Sequence, residues 1–278
     1  MSARAKSFAA RLLVYAGASF SMTVLLFIMG YILVRGIPHL SPALFAWEYN
    51  SENVSLTPAL INTLYMTVLS LAFAVPLGVG AAIYLSEYAK RSSRLVKVVR
   101  LTAETLSGIP SIIYGLFGAL FFVVTLRMNL SLMAGALTLS IMILPLIMRT
   151  TEEALLAVPD AYREGSFGLG AGRLRTTLKI VLPSAAPGIL AGVILGIGRI
   201  VGETAALIYT AGTVPEVAGS LFDSARTLSV HMYTLASEGL HIEEAYATAV
   251  VLLATVAGIN ALSAWTAGRL GRRSNGQI

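Results

Sequence analysis

The sequence predicts an all-α membrane protein with six transmembrane helices, and three observations carry that reading. Hydrophobic residues make up 56% of the 278, and charged residues only 12%, where soluble domains carry about 25%. The apolar residues fall into blocks long enough for a hydrocarbon core of about 30 Å, which needs about 20 helical residues. Between those blocks, the basic residues are distributed very unevenly.

The first block, residues 12–34, follows the basic stretch MSARAKSFAAR. Its apolar run exceeds a signal-peptide h-region and no A-x-A cleavage site ends it, so a membrane anchor is expected. Residues 35–57, with Trp47 and Tyr49, are expected at the outer interface, where aromatic residues concentrate. The second block, 58–86, contains Pro76, Gly78 and Gly80, which suggest local flexibility or close packing.

The third block, 101–126, is interrupted by Gly108-Ile109-Pro110-Ser111. Pro110 lacks an amide hydrogen and clashes with the carbonyl four residues back, so a kink is expected there. Broken transporter helices often turn free amides toward substrate, and Ser111 and Tyr114 would add hydroxyl donors. An ordinary proline kink is the alternative. Glu104, near the cytoplasmic start, is expected to be interfacial.

The fourth block is 130–149 and the fifth 186–213. On the fifth, Gly188, Gly192 and Gly196 form a small-xxx-small stripe suited to close helix contact. The stretch GIGRIVGETAAL carries Arg199 and Glu203 four positions apart, on one face if the helix continues. Arginine stays charged in any protein environment, and its planar fork matches the oxygens of a tetrahedral anion. Charged residues inside a membrane usually mark a pathway. The pair is therefore read as a pathway feature with Glu203 as the resting partner of Arg199; an ion pair that only pins the helix is the alternative. Residues 214–245 carry Glu216, Asp223, Glu238, Glu243 and Glu244 and read as a solvated external loop, with a docking surface as the alternative. The sixth block is 246–268.

Counted by side, sixteen Lys and Arg residues fall in segments 1–11, 87–100, 149–185 and 269–278. Arg35, Arg127 and Arg226 fall on the other side. Cytoplasmic segments hold the excess, which puts both termini in the cytoplasm and explains the pI of about 9.7 without a nucleic-acid partner. The absence of cysteine excludes disulfides, thiolate metal sites and cysteine nucleophiles. His39, His231 and His241 stand too far apart for metal-ligand spacing. No H-E-x-x-H or G-x-S-x-G motif suggests intramembrane catalysis. There is no G-x-x-x-x-G-K-[ST] loop either, so ATP would have to be hydrolysed by a partner.

Residues 150–185 form a cytoplasmic loop with its own pattern. Pro159 and Asp160 begin a short helix to about Leu169, with Asp160 as a possible cap. Gly170, Ala171 and Gly172 break it, and a basic segment, Arg173 to Leu182, leads to Pro183 and Pro187. Glu164, Gly165 and Ser166, then Gly170, Ile180, Leu182 and Pro183, keep the spacing E-A-A, three residues, G, nine residues, I, one residue, L-P. Small residues replace both alanines. This loop resembles that of ABC importer permeases.

The resemblance implies the type I ABC importer permease fold, with the loop as a cytoplasmic coupling helix docked on a cassette ATPase. Glu164, Gly165, Ser166, Gly170 and Arg173 would then serve ATPase coupling. ETLSGIPSIIYGLFG at 104–118 and GRIVGETAAL at 198–207 resemble the membrane subunits of Pst-type phosphate importers. G-E-T-A-A-L and HMYTLASEGLHIEEAYATAVVLL at 231–253 are closer to the A-type than to the C-type subunit. That similarity implies a permease for inorganic phosphate, paired with a C-type paralogue, two cassette ATPases and a periplasmic phosphate-binding protein. ATP and Mg would bind the ATPase, leaving no cofactor in this chain. Arg199, Glu203, Ser111 and Tyr114 become the expected substrate-pathway residues, with Gly108 and Pro110 as the helix kink. The expected organisation is an N-terminal helix and periplasmic segment (1–57), a permease domain (58–270) and a cytoplasmic tail (271–278). Sulfate, molybdate or phosphonate are the alternative cargoes. An ion-coupled secondary transporter, which would show inverted repeats, is the alternative mechanism.

Overall fold

The structure, a computed structural model, describes residues 3–90 and 93–275, with side chains described for 11–90, 93–262 and 265. The end of the expected cytoplasmic tail, and the basic side chains of 1–10 and 269–278, lie outside the described residues.

Every regular element is helical among the described residues. α1 is Ala3–Gly36, α2 Thr57–Ile83, α3 Arg94–Ser107, α4 Ser111–Gly118, α5 Leu132–Leu156 and α6 Asp160–Gly168. They are followed by α7 Arg173–Thr176, α8 Leu182–Val201, α9 Ala205–Thr210, α10 Leu228–Glu238 and α11 Ile242–Asn275. Wide π turns extend α2 to Tyr88 and α4 to Thr125, and another (Thr177–Val181) joins α7 to α8. Five helical stretches are long and apolar enough to cross a membrane, and α3 with α4 would make a sixth. The protein is an all-α, multi-pass membrane protein.

Three expectations need correction. The third block is broken far more sharply than a kink: α3 and α4 meet at 102°. Gly108 closes α3 and Pro110 is extended (φ −57°, ψ 140°), so the helical ladder stops. The Tyr114 hydroxyl bridges the break by donating to the Leu106 carbonyl at 2.8 Å. The fifth span runs Arg173–Val201, starting thirteen residues earlier than expected and stopping before Glu203. A π turn at Thr177–Val181 leads into α8, whose first turn accommodates Pro183, and Gly202 ends it. Lastly, 214–245 is no bland loop. It contains α10, whose Leu228, Ser229, Val230, His231 and Leu235 are buried. Its pattern is short and interrupted by polar residues, so hydropathy alone did not mark it.

Packing arranges these helices around α5, which buries fifteen of its 25 residues. The glycine stripe of α8 lies on it: Cβ atoms at Gly188, Gly192 and Gly196 would meet Ala154, Thr150 and Ile147. A central core joins Met66, Leu139, Met142, Ile143, Ile200 and Leu207. An outer core joins Leu44, Leu56, Leu228 and Leu235, and a cytoplasmic one joins Leu85, Val96, Leu155 and Val181. α1 packs chiefly on α11, where Gly36 faces the Tyr246 carbonyl and Val250, and otherwise exposes its apolar surface.

Candidate substrate pathway and coupling site

Two helix breaks come together inside the bundle. α4 starts after the 108–110 break and α9 after the 202–204 break, and the two short helices lie side by side. Glycine permits it: a Cβ on Gly115 would stand 2.7 Å from the Ala206 Cα. One on Gly118 would press on Thr138 and Thr210. α10 closes over the second break, where Ser229 Oγ donates to the Glu203 carbonyl.

Arg199 and Glu203 do not form the expected ion pair. No Lys, Arg or His among the described residues pairs with Glu203, and no carboxylate pairs with Arg199. The helix ends between them, so the one-face geometry that four-residue spacing gives a continuous helix is lost. Glu203 is 8% exposed and accepts the Ala206 amide at 3.2 Å, capping α9. Arg199 is half-buried in the last turn of α8, where a cation complements the free carbonyl ends. Each charge thus serves a different helix terminus.

Of the other expected pathway residues, Ser111 is half-buried in the first turn of α4 and Tyr114 is buried. Arg199 lies close enough to Tyr114 to act on its hydroxyl electrostatically. That hydroxyl is already committed to Leu106, so Tyr114 holds the break together. The structure therefore gathers Arg199, Glu203, Tyr114 and Ser111 around two breaks, with a half-buried guanidinium that pairs with no carboxylate among the described residues. The guanidinium of such a site can hold an anion through its planar fork.

The cytoplasmic loop builds a second site. α6 ends in a Schellman motif: the Gly170 amide bonds the Phe167 carbonyl and the Ala171 amide the Ser166 carbonyl, at 2.9 and 3.1 Å. Gly170 has φ +81°, the left-handed backbone that favours glycine. Glu164 and Gly165 face outward, while Ser166 is buried and meets Thr176 Oγ1 at 2.8 Å. The hydroxyl that departs from the family's alanine thus ties the two limbs of the loop. Asp160 is no cap; it lies inside the first turn and pairs with Arg163. Arg173 stacks over the Tyr88 ring at 5.8 Å.

Sequence reasoning missed the groups that hold this loop. Arg163 pairs with Glu87 at 2.7 Å, and Arg100 with Glu152. Hydrogen bonds to the Glu87 carboxylate favour the charged guanidinium of Arg163 further. Arg163 adjoins the motif, but its partner stands 76 residues away, so no local spacing could reveal the pair. The sequence also gave no sign that His231 and Arg226 are buried together in the outer segment. Burial and the Arg226 charge push the His231 imidazole down to about 4. Its Nε2–H donates to the Val54 carbonyl at 3.2 Å, leaving Nδ1 to accept from Arg226. No metal-holding group of three His, Asp or Glu occurs among the described residues.

Comparison with known proteins follows the same lines. The family described as "Binding-protein-dependent transport system inner membrane component" matches residues 74–276. The chain is similar to a probable ABC transporter permease, YqgI, of Bacillus subtilis (strain 168): 32% identity, covering 89% of this chain and 90% of that one. It is also similar to the phosphate transport system permease protein PstA of Mycobacterium leprae (strain TN), 36% identical over 74% of this chain and 68% of that one. Among solved structures, a bacterial alginate ABC transporter in complex with an alginate-bound periplasmic protein matches at TM-score 0.65 and 18% identity. That match covers 93% of this chain and 94% of the other. The inward-facing methionine transporter MetNI matches at 0.60 and 21%, covering 87% and 97%. These two likenesses show the fold.

Proposed function

The chain belongs to the family of binding-protein-dependent transport system inner membrane components, and we propose that it is the permease of an importer for inorganic phosphate. It is a non-catalytic ABC importer permease that contributes to a translocation pathway, with ATP hydrolysis on another subunit. Phosphate is supported by relatives named as phosphate permeases at 36% identity, and by the chemistry of Arg199.

The reading rests on the half-buried Arg199, with no carboxylate partner among the described residues, beside two helix breaks. A guanidinium placed there offsets part of the hydration that a tetrahedral oxyanion loses, and its fork can hold two oxygens. Retention must stay weak enough for release. Ser111 adds a hydroxyl at the start of α4, and Tyr114 keeps the break in register. Glu203 holds the α9 end of the site, and its charge repels an anion that strays from Arg199.

The proposed assembly pairs this chain with a C-type paralogue, two cassette ATPases and a periplasmic phosphate-binding protein, both termini being cytoplasmic. α6 docks on the ATPase through Glu164, Gly165 and the turn at Gly170, with the 91%-exposed Leu169 as its apolar contact. Closure of the ATPase pair on ATP opens the pathway outward; hydrolysis reopens it inward.

Uptake of labelled phosphate into vesicles holding the assembled complex tests the reading. Wild type should take up phosphate with ATP and not with membrane potential alone, and Arg199→Gln should abolish uptake at matched assembly. Normal uptake by Arg199→Gln removes the guanidinium from the pathway. Uptake of sulfate instead of phosphate overturns the choice of ion.

A further inference from the structure

Resting on the importer reading above, we infer that Arg163 and Arg100 are positioning residues that transmit movement of the coupling helix to the α3–α4 break through the last turns of α5. The observation that points there is how little else holds α6. Only Ser166 of its nine residues is buried, so apolar packing cannot grip it. Polar contacts do. The Arg163 side chain, 14% exposed, reaches three elements at once. It bonds Glu87 at the end of α2, Asp160 in its own helix, and the Leu155 and Val158 carbonyls at and just beyond the end of α5, the last two at 2.8 Å each.

The chemistry suits a strut. A guanidinium fork fixes direction as well as distance, which a lysine ammonium does not. The Leu155 carbonyl lies in the last turn of α5 and the Val158 carbonyl just beyond it, and a cation complements that end. Glu87 is 9% exposed, so the pair is shielded from water and salt. The other limb of the loop rests on the same place, with Arg173 over Tyr88, next to Glu87 in the chain.

From α5 the path continues inward. Glu152, one turn before Leu155, accepts from Arg100 of α3 at 2.9 Å, and its side chain is 10% exposed. α3 runs from Arg100 to the break at Gly108, which Tyr114 staples to Leu106. A displacement of α6 therefore draws on the end of α5, and α5 draws on α3. Neither arginine touches substrate in this scheme. Their work is to keep α6, α5 and α3 moving as one body.

Spatial connection alone does not demonstrate coupling, so a double-mutant cycle is the test. ATP hydrolysis and phosphate uptake are measured together on the reconstituted complex for Arg163→Gln, Arg100→Gln and the double variant, at matched assembly. Arg163→Gln should keep ATP hydrolysis while ions moved per ATP fall about tenfold, within the range that residues between coupled sites produce. The double variant should be no worse than the worse single, because the two lie in series. Arg163→Lys should be impaired like Arg163→Gln, and Glu87→Gln, which leaves the α5 carbonyl bonds, should lose less. Hydrogen exchange of the purified complex supplies a readout independent of the ion: Arg163→Gln should speed exchange in α6 and also in α3. Unchanged coupling in Arg163→Gln, or losses that multiply in the double variant, overturns the inference. So does faster exchange confined to α6. If wild type moves no phosphate, the choice of ion fails while hydrogen exchange still decides the strut.

Discussion

Gly115→Ala tests whether the two short helices depend on backbone contact. The added Cβ would stand 2.7 Å from the Ala206 Cα, and 3.2 and 3.3 Å from the Ala206 and Ala205 carbonyl oxygens. All three are backbone atoms, so no side chain can swing aside. Ordinary contact begins near 3.4 Å, so α4 and α9 would have to part by about 0.7 Å. Overpacking of this kind costs about 1–3 kcal/mol, against about 0.5–1 kcal/mol gained from replacing a helical glycine with alanine. A net loss of about 1–2 kcal/mol follows, roughly five- to thirtyfold in the unfolding equilibrium. Gly80→Ala is the matched control, since nothing lies within 4 Å of its Cβ position. Thermal unfolding of the purified complex should therefore move in opposite directions, down for Gly115→Ala and level or up for Gly80→Ala. Phosphate uptake should fall with Gly115→Ala alone, because widening the α4–α9 contact shifts Ser111 relative to Arg199. Equal stability and uptake in the two variants would refute the reasoning.

Gly170→Val forces a β-branched residue to φ +81° and should destabilise the end of α6 by at least the ~1–2 kcal/mol of left-handed backbone; ions moved per ATP should drop, and Gly170→Asn should keep more of them. If the valine variant transports with normal stoichiometry, α6 is not the coupling element. Glu203→Ala should cost the complex about 0.5–2 kcal/mol through the lost cap, while Glu203→Gln, which keeps the acceptor oxygen, should lose little. Equal thermal losses for both would show that the charge matters more than the cap. For His231, the imidazole is lowered in the fold to about 4 from 6.5, so between those values the unfolded chain binds more protons than the native one. Stability should thus be full above about pH 6.5 and decline toward pH 4, by up to about 3 kcal/mol. Arg226, with Tyr49 beside it, is the charge facing the ring. Thermal midpoints of wild type and His231→Gln across that window should converge as the pH falls; parallel curves would count against a neutral buried histidine.

How much of this was legible followed from the range of the signals. Composition, block length and basic asymmetry are properties of contiguous stretches, so the helical membrane class and five of the crossings could be read directly. The Gly170 turn was equally local, and the structure gives it the left-handed backbone that glycine provides. The glycine stripe of α8 also met a real neighbour, although nothing local said that the neighbour was α5. Where the reading failed, a tertiary partner decided the outcome. A continuous fifth helix suited the apolar pattern up to residue 213, but Glu203 takes the Ala206 amide and α10 bonds its carbonyl, so the chain breaks at 202–204. α10 was hidden because its burial comes from Thr63 and Val54, more than 160 residues away. Glu87 and Arg163 were invisible for the same reason.

The break also explains why two opposite charges can sit four residues apart without cancelling. On an unbroken helix, Arg199 and Glu203 would face each other, and the bridge would have to open for each ion that passed. Ending α8 at Val201 removes that competition. Glu203 is taken up by the start of α9, while Arg199 sits half-buried in the last turn of α8. An isolated charge at the bilayer centre costs about 2.5–3.5 kcal/mol on insertion scales, so a fold keeps one only where its surroundings compensate it. Here the carbonyl end of α8 does so without supplying a rival anion. The same logic fits the third span, where the Tyr114–Leu106 bond ties the break without adding charge. A pathway for an oxyanion needs a cation that is stabilised but unpaired. On the proposed reading, two adjacent helix breaks would provide this with backbone dipoles, which attract the guanidinium and cannot migrate to the substrate.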